Sequence, residues 1–512
     1  MRRLAAVGLT VLALATAVVL GNRARLWNDE LALPSPPLAH VLPRLDDPRT
    51  PRLSRRVVLI LIDGLGADEA HLPYLDELRA RGVAATARVP YPTISRPNYV
   101  TILTGVPPRD SGVRANRVAT PVAVDTIMDR VQAGGLRVAT ASDFGNLMSL
   151  FARHTDTLDV RWVEHGTHLS PPPPVSWPAD EVVRVPTLAA LGPAIAELAA
   201  GDAAFVPVLV LDVDRAGHAS GVGDEYRAAA RGVDAMLRVA FAGLDLARDT
   251  VIVTADHGHV APGGHGGDER EVSNVPLVLA GAGIVPGSVA HDARLIDVAP
   301  TVAALLGVPA PGHAEGRALV EVLALEPADA AHRAAADNTR ASAIEVVTDV
   351  HADTPSIAWL AAVLAGLAIT VVLGRSHLHV SSLAGAIGFA VMVVAIVLIT
   401  RGRLSPSYIP SLARTEELGA IGIAAALVLQ VATSWFVVGR ARDRLACGNT
   451  LAVVSLAIGL GSVGLVHAWF APPFLDVPPP LWMVAIPTLD LAAATCATGA
   501  IVTLAIAAIR SR

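Results

Sequence analysis

The distribution of apolar residues divides the chain into a short apolar start, a mixed middle section and a long apolar end. One apolar run covers about residues 4–20, and the mixed section extends to about residue 355. Five further apolar runs lie near residues 357–373, 383–400, 418–438, 450–470 and 481–509. Each run has enough residues to cross a bilayer as a helix. The pattern therefore predicts a globular domain followed by five transmembrane helices.

Within the mixed section, short apolar runs alternate with segments of helical spacing. The run RVVLILIDG at 56–64 is almost continuously apolar, which is typical of a buried parallel strand. Further strands are predicted at 136–142, 205–214, 250–256 and 275–281, and helices at 71–82, 186–200 and 224–240. This alternation predicts an α/β domain with a mostly parallel sheet sandwiched by helices.

Composition supports the membrane assignment and argues against two other kinds of protein. Of the 512 residues, 53% are hydrophobic and 17% are charged, and the mean hydropathy is +0.51, too high for a wholly soluble protein. The net charge of -6 gives no indication of a nucleic-acid partner. Cys447 lies in an Arg-rich loop and Cys496 in an apolar run, so the two cysteines do not indicate a disulfide framework.

The apolar start follows Arg2 and Arg3, and its length fits either a signal peptide or a short membrane anchor. No convincing small-x-small cleavage motif follows it, which favours an uncleaved anchor. The chain then divides into a signal anchor, a proline-rich linker, the α/β domain, a second linker and a five-helix transmembrane region, at 1–22, 23–54, 55–326, 327–356 and 357–512.

Arginines near the ends of the apolar runs predict the orientation in the membrane. Those of the loop 440–444, the tail 510–512 and the N-terminus fall on one side, which the positive-inside rule makes cytoplasmic. The arginines of 401–414 favour the opposite orientation, but two glutamates accompany them. We therefore expect a multi-pass protein of the cytoplasmic (cell) membrane whose α/β domain is extracytoplasmic.

Acidic and histidine side chains recur at the carboxyl ends of the predicted strands. They are Asp63, Asp212, Asp214, His218, Asp256, His257 and His259, and a Gly-rich loop adds His265. Ligands bind beyond the carboxyl ends of the strands in open parallel sheets, so these side chains can converge. Carboxylates and imidazoles together suit divalent metal ions, above all Zn²⁺, with Mn²⁺ as the alternative.

The stretch YPTISRPNYVTILTGVPPRDSGVRAN, at 91–116, offers two hydroxyl groups ahead of a predicted helix. Pro97 is tolerated in a first helical turn, so Ser95 is expected at the N-cap of a helix that includes 99–103. A helix N-terminus attracts anions, and a hydroxyl that also binds a metal is a stronger nucleophile. Thr93 and Ser95 are both candidates for a nucleophile aimed at phosphate.

The order of the motifs LIDG, PTISRPN, DVDRAGH, ADHG and GHGG resembles that of the alkaline phosphatase superfamily. Within it, the motifs are most similar to those of the nucleotide pyrophosphatase/type I phosphodiesterase branch, near the GPI ethanolamine-phosphate transferases. The resemblance covers roughly residues 55–320 and implies an alkaline-phosphatase-like fold with two divalent metal ions. A sulfatase is disfavoured, because Tyr99 stands where the sulfatase motif has Arg.

The resemblance also implies roles for individual residues. One metal would be held by Asp63, Asp256, His257 and the nucleophile, and the other by Asp214, His218 and His265. The nucleophile would be Ser95, which stands where the phosphodiesterase branch has Thr, and Thr93 remains the alternative. Asn116 would contact the phosphate.

The implied function is that of a membrane-anchored, metal-dependent phosphodiesterase or phosphohydrolase that acts through a phosphorylated Ser. The alternative is a phosphoethanolamine-type transferase or hydrolase that acts on a lipid-linked head group. The partners would be the membrane and a phosphate-ester or lipid-linked substrate. Specificity would come from the segment 168–184 and the loop 109–117, and Arg96, Arg114 and Arg117 are candidates to contact a second phosphate.

Overall fold

The computed structural model describes residues 2–30, 36–38, 40–44, 50–116, 122–143, 180–352, 386–410, 412–469 and 479–511. The chain forms two compact units. One comprises Ala32–Ala352, and the other comprises Met1–Leu31 together with Asp353–Arg512. We call them the α/β unit and the helical unit, since a seven-stranded sheet lies in the first and long apolar helices lie in the second.

The sheet of the α/β unit consists of β1 Arg56–Ile62, β2 Gly82–Arg88, β3 Ala139–Ser142, β4 Glu181–Arg184, β5 Phe205–Val210, β6 Asp249–Thr254 and β7 Asn274–Gly281. Their spatial order is β2-β7-β6-β1-β5-β3-β4. The strands β6, β1, β5, β3 and β4 are parallel, whereas β7 is antiparallel to both neighbours. The α/β class with a mostly parallel sheet is therefore confirmed.

The helices of the α/β unit follow α1 (Arg2–Glu30) of the helical unit in the numbering. They are α2 Pro73–Ala80, α3 Ser95–Thr104, α4 Pro108–Ser111, α5 Ile127–Ala133, α6 Leu188–Ala200, α7 Asp212–Ser220, α8 Asp224–Ala240, α9 Arg270–Ser273, α10 Val298–Leu306 and α11 Pro327–Ala352. Helices α2, α6 and α7 pack with α8, and α3, α5 and α10 pack with one another. Every residue of β1 is buried, so the sheet is covered on both faces.

Four strands differ from the sequence prediction. The segment 275–281 is a strand as expected, but it is antiparallel, and β2 and β4 were not predicted at all. The strand expected at 205–214 ends at Val210, and Asp212 begins helix α7. The hydropathy pattern does not mark this boundary, because the apolar run VPVLVLDV continues from the strand into α7. Val213 is buried in α7, so the start of the helix has the same hydropathy as a strand.

The segment 327–356, expected to be a linker, contributes the long helix α11 to the α/β unit. Arg340 is fully buried and donates hydrogen bonds to the carbonyl oxygens of Ala314 (2.8 Å) and Gly316 (3.1 Å). It also pairs with Asp337 at 2.7 Å. The charged, alanine-rich sequence resembles a solvated segment, and the buried arginine contacts that hold it in place are not visible in the hydropathy pattern.

Among the described residues, the helical unit contains α1 and four C-terminal helices. These are α12 Ile387–Ile399, α13 Leu412–Arg440, α14 Arg444–Trp469 and α15 Pro480–Arg510. In the described residues, four helices are long and apolar enough to cross a membrane: Arg2–Trp27, Arg414–Arg440, Arg444–Val466 and Pro480–Arg510. They support the prediction of a membrane protein. Of the other two predicted spans, 357–373 lies outside the described residues and 383–400 gives a helix of 13 residues.

Helix α1 is integrated into the helical unit along its length. It packs against α14 and α15, with Ala13 in an apolar cluster that also contains Ala497 and Ala500. Near its other end, Arg23 Nε lies 3.7 Å from Asp490 Oδ2. The helix continues to Glu30, so it includes residues that we expected to belong to the first linker.

Candidate active site

Three acidic and histidine side chains meet at the carboxyl edge of the sheet, where β1 and β6 are neighbours. Asp63 directly follows β1, and Asp256 and His257 follow β6. All three are fully buried. His257 Nε2 lies 3.4 Å from Asp63 Oδ1 and 3.3 Å from Asp256 Oδ2. The parallel pairing of two strands distant in the chain thus brings these three ligand atoms together.

A second group surrounds Asp214. Helix α7 places His218 one turn after Asp214, and their closest atoms, Nε2 and Oδ1, are 3.4 Å apart. The same Asp214 Oδ1 lies 3.0 Å from His259 Nε2 and 3.8 Å from His265 Nε2. His218 and His265 approach to 3.1 Å between their Nε2 atoms. One carboxylate oxygen is therefore the meeting point of three imidazole rings.

The two groups are joined by the rings of His257 and His265. These rings are stacked, with centroids 3.7 Å apart and an angle of 12° between their planes. Two sets of atoms lie close enough together to hold a metal ion, Asp63 with Asp256 and His257, and Asp214 with His257 and His265. His257 belongs to both sets, so the two groups form one continuous centre.

Backbone carbonyl oxygens orient the histidine rings in the same way. The Nδ1 atoms of His257, His259 and His265 lie 3.1, 2.8 and 2.9 Å from the carbonyl oxygens of Gly258, Gly263 and Thr93, respectively. A carbonyl oxygen requires a proton on Nδ1, so in the neutral rings of His257 and His265 the Nε2 lone pair faces the centre. Such a carbonyl contact is the usual support of a metal-binding histidine.

The carboxylates show a matching arrangement. One oxygen of each accepts a hydrogen bond: Asp63 Oδ2 from the Tyr99 hydroxyl and Asp256 Oδ1 from the Gly64 amide (3.1 Å). The other oxygens, Asp63 Oδ1 and Asp256 Oδ2, are buried and accept no hydrogen bond within the described part of the chain. Buried carboxylate oxygens need a compensating partner. These residues therefore fit a divalent cation.

Burial is the largest single influence on the pKa values of the ionisable side chains in the centre. Burial, with the nearby charges of Asp256 and Asp214, raises the pKa of Asp63, and burial raises the pKa of Asp256 to about 8. Burial lowers the pKa of His257 and brings that of His265 to about 4. For Asp214, burial is outweighed by the hydrogen bond from His259 and the nearby imidazoles, and the pKa falls. Bound divalent cations would relieve the carboxylate repulsion that these shifts express.

Ser95 begins helix α3 and points into this centre. Its hydroxyl oxygen lies 3.1 Å from His257 Nε2. The expected N-cap role is wrong, because Ile94 occupies the N-cap position and Ser95 is the first helical residue. The helix is also longer than expected, since it ends at Thr104 before Gly105 adopts the left-handed conformation (φ 74°). Released from capping, the Ser95 hydroxyl is available to the centre.

Thr93, the alternative nucleophile, is fully buried and engaged by backbone groups. Its hydroxyl donates to the carbonyl oxygen of Gly267 (2.8 Å) and accepts from the amide of Gly266 (3.0 Å). Its own carbonyl oxygen accepts from His265. These contacts hold the Gly-rich loop against the residues before α3, which is a structural task. The geometry thus favours Ser95 over Thr93.

The third predicted catalytic residue, Asn116, lies beside the start of α3. Its Oδ1 accepts a hydrogen bond of 2.9 Å from the backbone amide of Arg96, and the side chain is exposed. The other predicted specificity residues are placed differently. Arg114 is fully buried and donates to the carbonyl oxygen of Arg109 (2.8 Å), while Arg117 and residues 168–179 lie outside the described residues.

Two residues of the centre were missing from the predicted ligand and catalytic sets. His259 lies near a predicted strand end, but the family resemblance assigns it no role. The feature of the sequence that could have indicated a role is its spacing of two residues from His257. Tyr99 was used only as evidence against a sulfatase. Its signal is the spacing of four residues from Ser95, which places both on one helical face.

Comparison with known proteins supports the motif-based resemblance. Residues 57–263 match the family described as type I phosphodiesterase / nucleotide pyrophosphatase. The chain is similar to the catalytic subunit of GPI ethanolamine phosphate transferase 2 of Homo sapiens, with 25% identity over 304 residues, 54% of this chain and 29% of that protein. It is also similar to a phosphopentomutase of Methylobacterium sp. (strain 4-46), with 32% identity over 199 residues, 38% of this chain and 42% of that protein. The chain thus spans less than half the length of these two relatives.

Among solved structures, the chain is similar to wild-type alkaline phosphatase PafA. The identity is 12% and the TM-score is 0.41, with 53% of this chain and 99% of that chain covered. The suspected relationship to the phosphodiesterase branch is confirmed by the family match over residues 57–263.

Proposed function

We propose, from the match of residues 57–263 to the type I phosphodiesterase / nucleotide pyrophosphatase family, that the α/β unit is a metal-dependent phosphoric-ester hydrolase of the phosphodiesterase type. The observation that carries the proposal is the position of Ser95. Its hydroxyl lies 3.1 Å from His257 Nε2, at the N-terminus of a helix and beside two buried carboxylates. A nucleophile, cation ligands and anion-stabilising amides therefore share one place.

The residues present would hold two divalent ions, Zn²⁺ with Mn²⁺ as the alternative. One site would use Asp63, Asp256, His257 and the Ser95 oxygen, and the other Asp214, His218 and His265, with His259 beside Asp214. When bound, the ions supply positive charge that polarises the phosphoryl group and favours the ionised form of a hydroxyl. The orphaned oxygens of Asp63 and Asp256 support the first of these assignments.

The chain's own groups would carry the reaction as follows. The Ser95 hydroxyl loses its proton and its Oγ attacks the phosphorus of a phosphodiester; the bond from phosphorus to one ester oxygen breaks, and that oxygen leaves as an alcohol after taking up a proton. Ser95 then carries the phosphoryl group together with its remaining ester substituent. The first amides of α3 and the side chain of Asn116 would stabilise the charge that develops on the phosphoryl oxygens. Asn116 Oδ1 is held by the Arg96 amide, which leaves its NH₂ group to face the substrate. Water then attacks the same phosphorus, the bond from phosphorus to Ser95 Oγ breaks, the Ser95 oxygen takes up a proton, and a phosphomonoester is released.

A transferase is the second candidate, and one observation favours it. The chain is similar over 304 residues to a GPI ethanolamine phosphate transferase, and its described residues include four helices that could cross a membrane. An alcohol in place of water would then attack the phosphorus on Ser95, the bond from phosphorus to Ser95 Oγ would break, and the phosphoryl group with its remaining ester substituent would pass to the alcohol. A lipid-linked head group at the membrane would supply one of the two substrates. The proposed location is the cell membrane, with the α/β unit outside the cytoplasm.

A substrate panel tests the proposal. The full-length protein in detergent micelles with Zn²⁺ would be assayed with para-nitrophenyl phosphate, bis-para-nitrophenyl phosphate, a nucleotide diester and a phosphoethanolamine lipid. A preference for the diesters supports the hydrolase, and transfer from the lipid to an added alcohol supports the transferase. A clear preference for the monoester would contradict the diesterase assignment, and inactivity towards all four would remove both candidates.

A further inference from the structure

Helix α3 presents two hydroxyl groups to the centre, one turn apart. Ser95 lies at its first position, with its oxygen 3.1 Å from His257 Nε2. Tyr99 follows four residues later, and its hydroxyl donates a hydrogen bond to Asp63 Oδ2. Residues four apart lie on the same face of a helix. The helix therefore contacts both the histidine and one of the carboxylates of the same metal group.

The hydrogen bond from the Tyr99 hydroxyl makes the two carboxylate oxygens of Asp63 different. Oδ2 accepts the phenolic hydrogen bond, whereas Oδ1 is buried, 3.4 Å from His257 Nε2, and accepts no hydrogen bond from a described residue. A carboxylate without the phenol could rotate and present either oxygen. With the phenol in place, Oδ1 is directed towards the ligand atoms of His257 and Asp256.

Packing alone does not require this hydroxyl. Tyr99 is 1% exposed, and a phenylalanine would fill the same apolar space without a polar atom to satisfy. Tyr226, the other fully buried tyrosine of the described α/β unit, uses its hydroxyl differently. It donates to the carbonyl oxygen of Gly64 (2.6 Å) and accepts from the amide of Gly66 (3.2 Å), so it supports the loop after β1.

We propose that Tyr99 is a positioning residue for the metal centre. Its hydroxyl holds Asp63 Oδ2, directs Asp63 Oδ1 at the cation, and ties α3 to β1 so that Ser95 meets the same cation. This inference rests on the proposed function for the identity of the centre, but it concerns metal binding and can be tested without any substrate.

The test is zinc binding by the full-length protein in detergent, measured by competition with a chromogenic chelator. Tyr99→Phe is expected to weaken zinc binding at the Asp63 group by roughly 10–100-fold, as the loss of a hydrogen bond that orients a metal ligand usually does. With the preferred substrate, kcat should fall while KM changes less than about twofold, because ligand orientation affects chemistry more than substrate binding. Tyr74→Phe, a phenol packed against Phe241 and Arg238, is the matched control and should change neither quantity.

A double-mutant cycle separates positioning from packing. In an Asp63→Asn background, Tyr99→Phe should have no further effect on zinc binding, because the oxygen through which it acts is no longer a carboxylate. Equal zinc affinity and equal kcat in the wild type and Tyr99→Phe would overturn the inference, as would an undiminished effect in the Asp63→Asn background. If the circular-dichroism spectrum showed that Tyr99→Phe does not fold, Tyr99→His would be tested in its place, because it keeps a hydrogen-bond donor on a ring. Tyr99→His should restore both folding and zinc affinity, and failure to restore them would also count against the inference.

Failure of this inference about Tyr99 can be distinguished from failure of the proposed hydrolase function. A wild-type protein that binds zinc but hydrolyses no phosphoester would refute the hydrolase, and the zinc titration of Tyr99→Phe would still decide the role of Tyr99. A wild-type protein that binds no zinc or manganese would refute both.

Discussion

The Ser95 hydroxyl lies 3.1 Å from Nε2 of His257, although 162 residues separate the two in the chain. The contact exists because β1 and β6 are adjacent parallel strands and α3 begins beside their carboxyl ends. Thr93, two residues before Ser95, has its hydroxyl bound to the backbone at Gly266 and Gly267. The structure thus separates two hydroxyls that the sequence leaves equivalent.

Ser95→Ala should abolish turnover, because it removes the proposed nucleophile. It should leave the fold intact, because the only atom lost is the hydroxyl oxygen that faces the centre. Thr93→Val should keep a measurable kcat but lower the melting temperature, since two buried hydrogen bonds, each about 1 kcal/mol, are lost. Steady-state kinetics and thermal melts check both variants, with Ser288→Ala, a partly exposed serine away from the centre, as control. A dead Thr93→Val enzyme beside an active Ser95→Ala enzyme would transfer the nucleophile to Thr93.

Removal of the metal ions should destabilise the α/β unit as well as inactivate it. Dialysis against a chelator leaves Asp63, Asp214 and Asp256 close together without a compensating charge. An ion present at 100 times its Kd stabilises a protein by about 2.7 kcal/mol. We expect the melting temperature to fall on chelation and to recover with Zn²⁺ or Mn²⁺, as measured by calorimetry. An unchanged melting temperature and unchanged activity after complete metal removal would contradict the assignment of the centre.

His259→Asn should weaken metal binding at the Asp214 group. The substitution removes the imidazole that lies 3.0 Å from Asp214 Oδ1 and that Gly263 orients. A loss of about 10–100-fold in zinc affinity or activity is the expected scale for a residue that supports a metal ligand. Chelator competition measures it, and His71→Asn, a largely exposed histidine, is the control. Equal affinity in His259→Asn and the wild type would show that His259 is dispensable to the centre.

Outside the centre, His313 should make the stability of the α/β unit depend on pH. Its Nδ1 lies 2.7 Å from Asp125 Oδ1 and its Nε2 lies 2.7 Å from the carbonyl oxygen of Val41, so both nitrogens donate only in the charged ring. Although burial opposes it, these bonds raise the pKa of His313, and Arg130, 3.1 Å from Asp125, is the neighbouring charge that lowers it.

The pKa of His313 is raised in the folded state. Its contribution to the free energy of unfolding is therefore complete below the unfolded-state pKa of about 6.5 and is lost as the pH rises through the folded-state pKa. The melting temperature of His313→Gln should therefore fall below that of the wild type most strongly at acidic pH, and the gap should narrow as the pH rises. Thermal melts from pH 5 to 9 give this comparison. A gap that is constant with pH would mean that the His313 charge does not matter.

The proposed orientation predicts which residues a membrane-impermeant thiol reagent can reach. With Cys447 replaced by Ser, a cysteine at Ser288 of the α/β unit should be labelled in intact cells, and one at Ser511 should be labelled only after permeabilisation. Cys496 is buried and should stay unlabelled under both conditions. The reverse labelling pattern would invert the topology and place the α/β unit in the cytoplasm.

The sequence predicts the chemistry of the centre better than its geometry. Strand ends that carry Asp63, Asp256 and His257 are visible as breaks in apolar runs, and their convergence follows from parallel pairing alone. The roles of Tyr99 and His259 are not visible in this way, since each acts by contact with a carboxylate from another part of the chain. The direction of β7 is equally hidden, because a buried strand has the same hydropathy in either direction.

The structure extends the α/β unit beyond the expected residue 326 for a different reason. Hydropathy ends the globular domain at residue 326, where apolar periodicity fades, but α11 continues to Ala352 through hydrogen bonds of buried arginines. A charged side chain is normally evidence of solvent exposure, and only the carbonyl groups that it meets can reverse that reading.

The anchoring of α11 therefore sets where the protein can be divided. Arg333 bonds to the carbonyl oxygen of Val308 (3.2 Å), and Asp337 Oδ2 accepts from the amide of Ala318 (2.7 Å). A fragment cut at residue 326 would remove α11 and leave these backbone groups without their side-chain partners. A fragment intended to contain the whole α/β unit should therefore extend to Ala352, because α11 belongs to that unit.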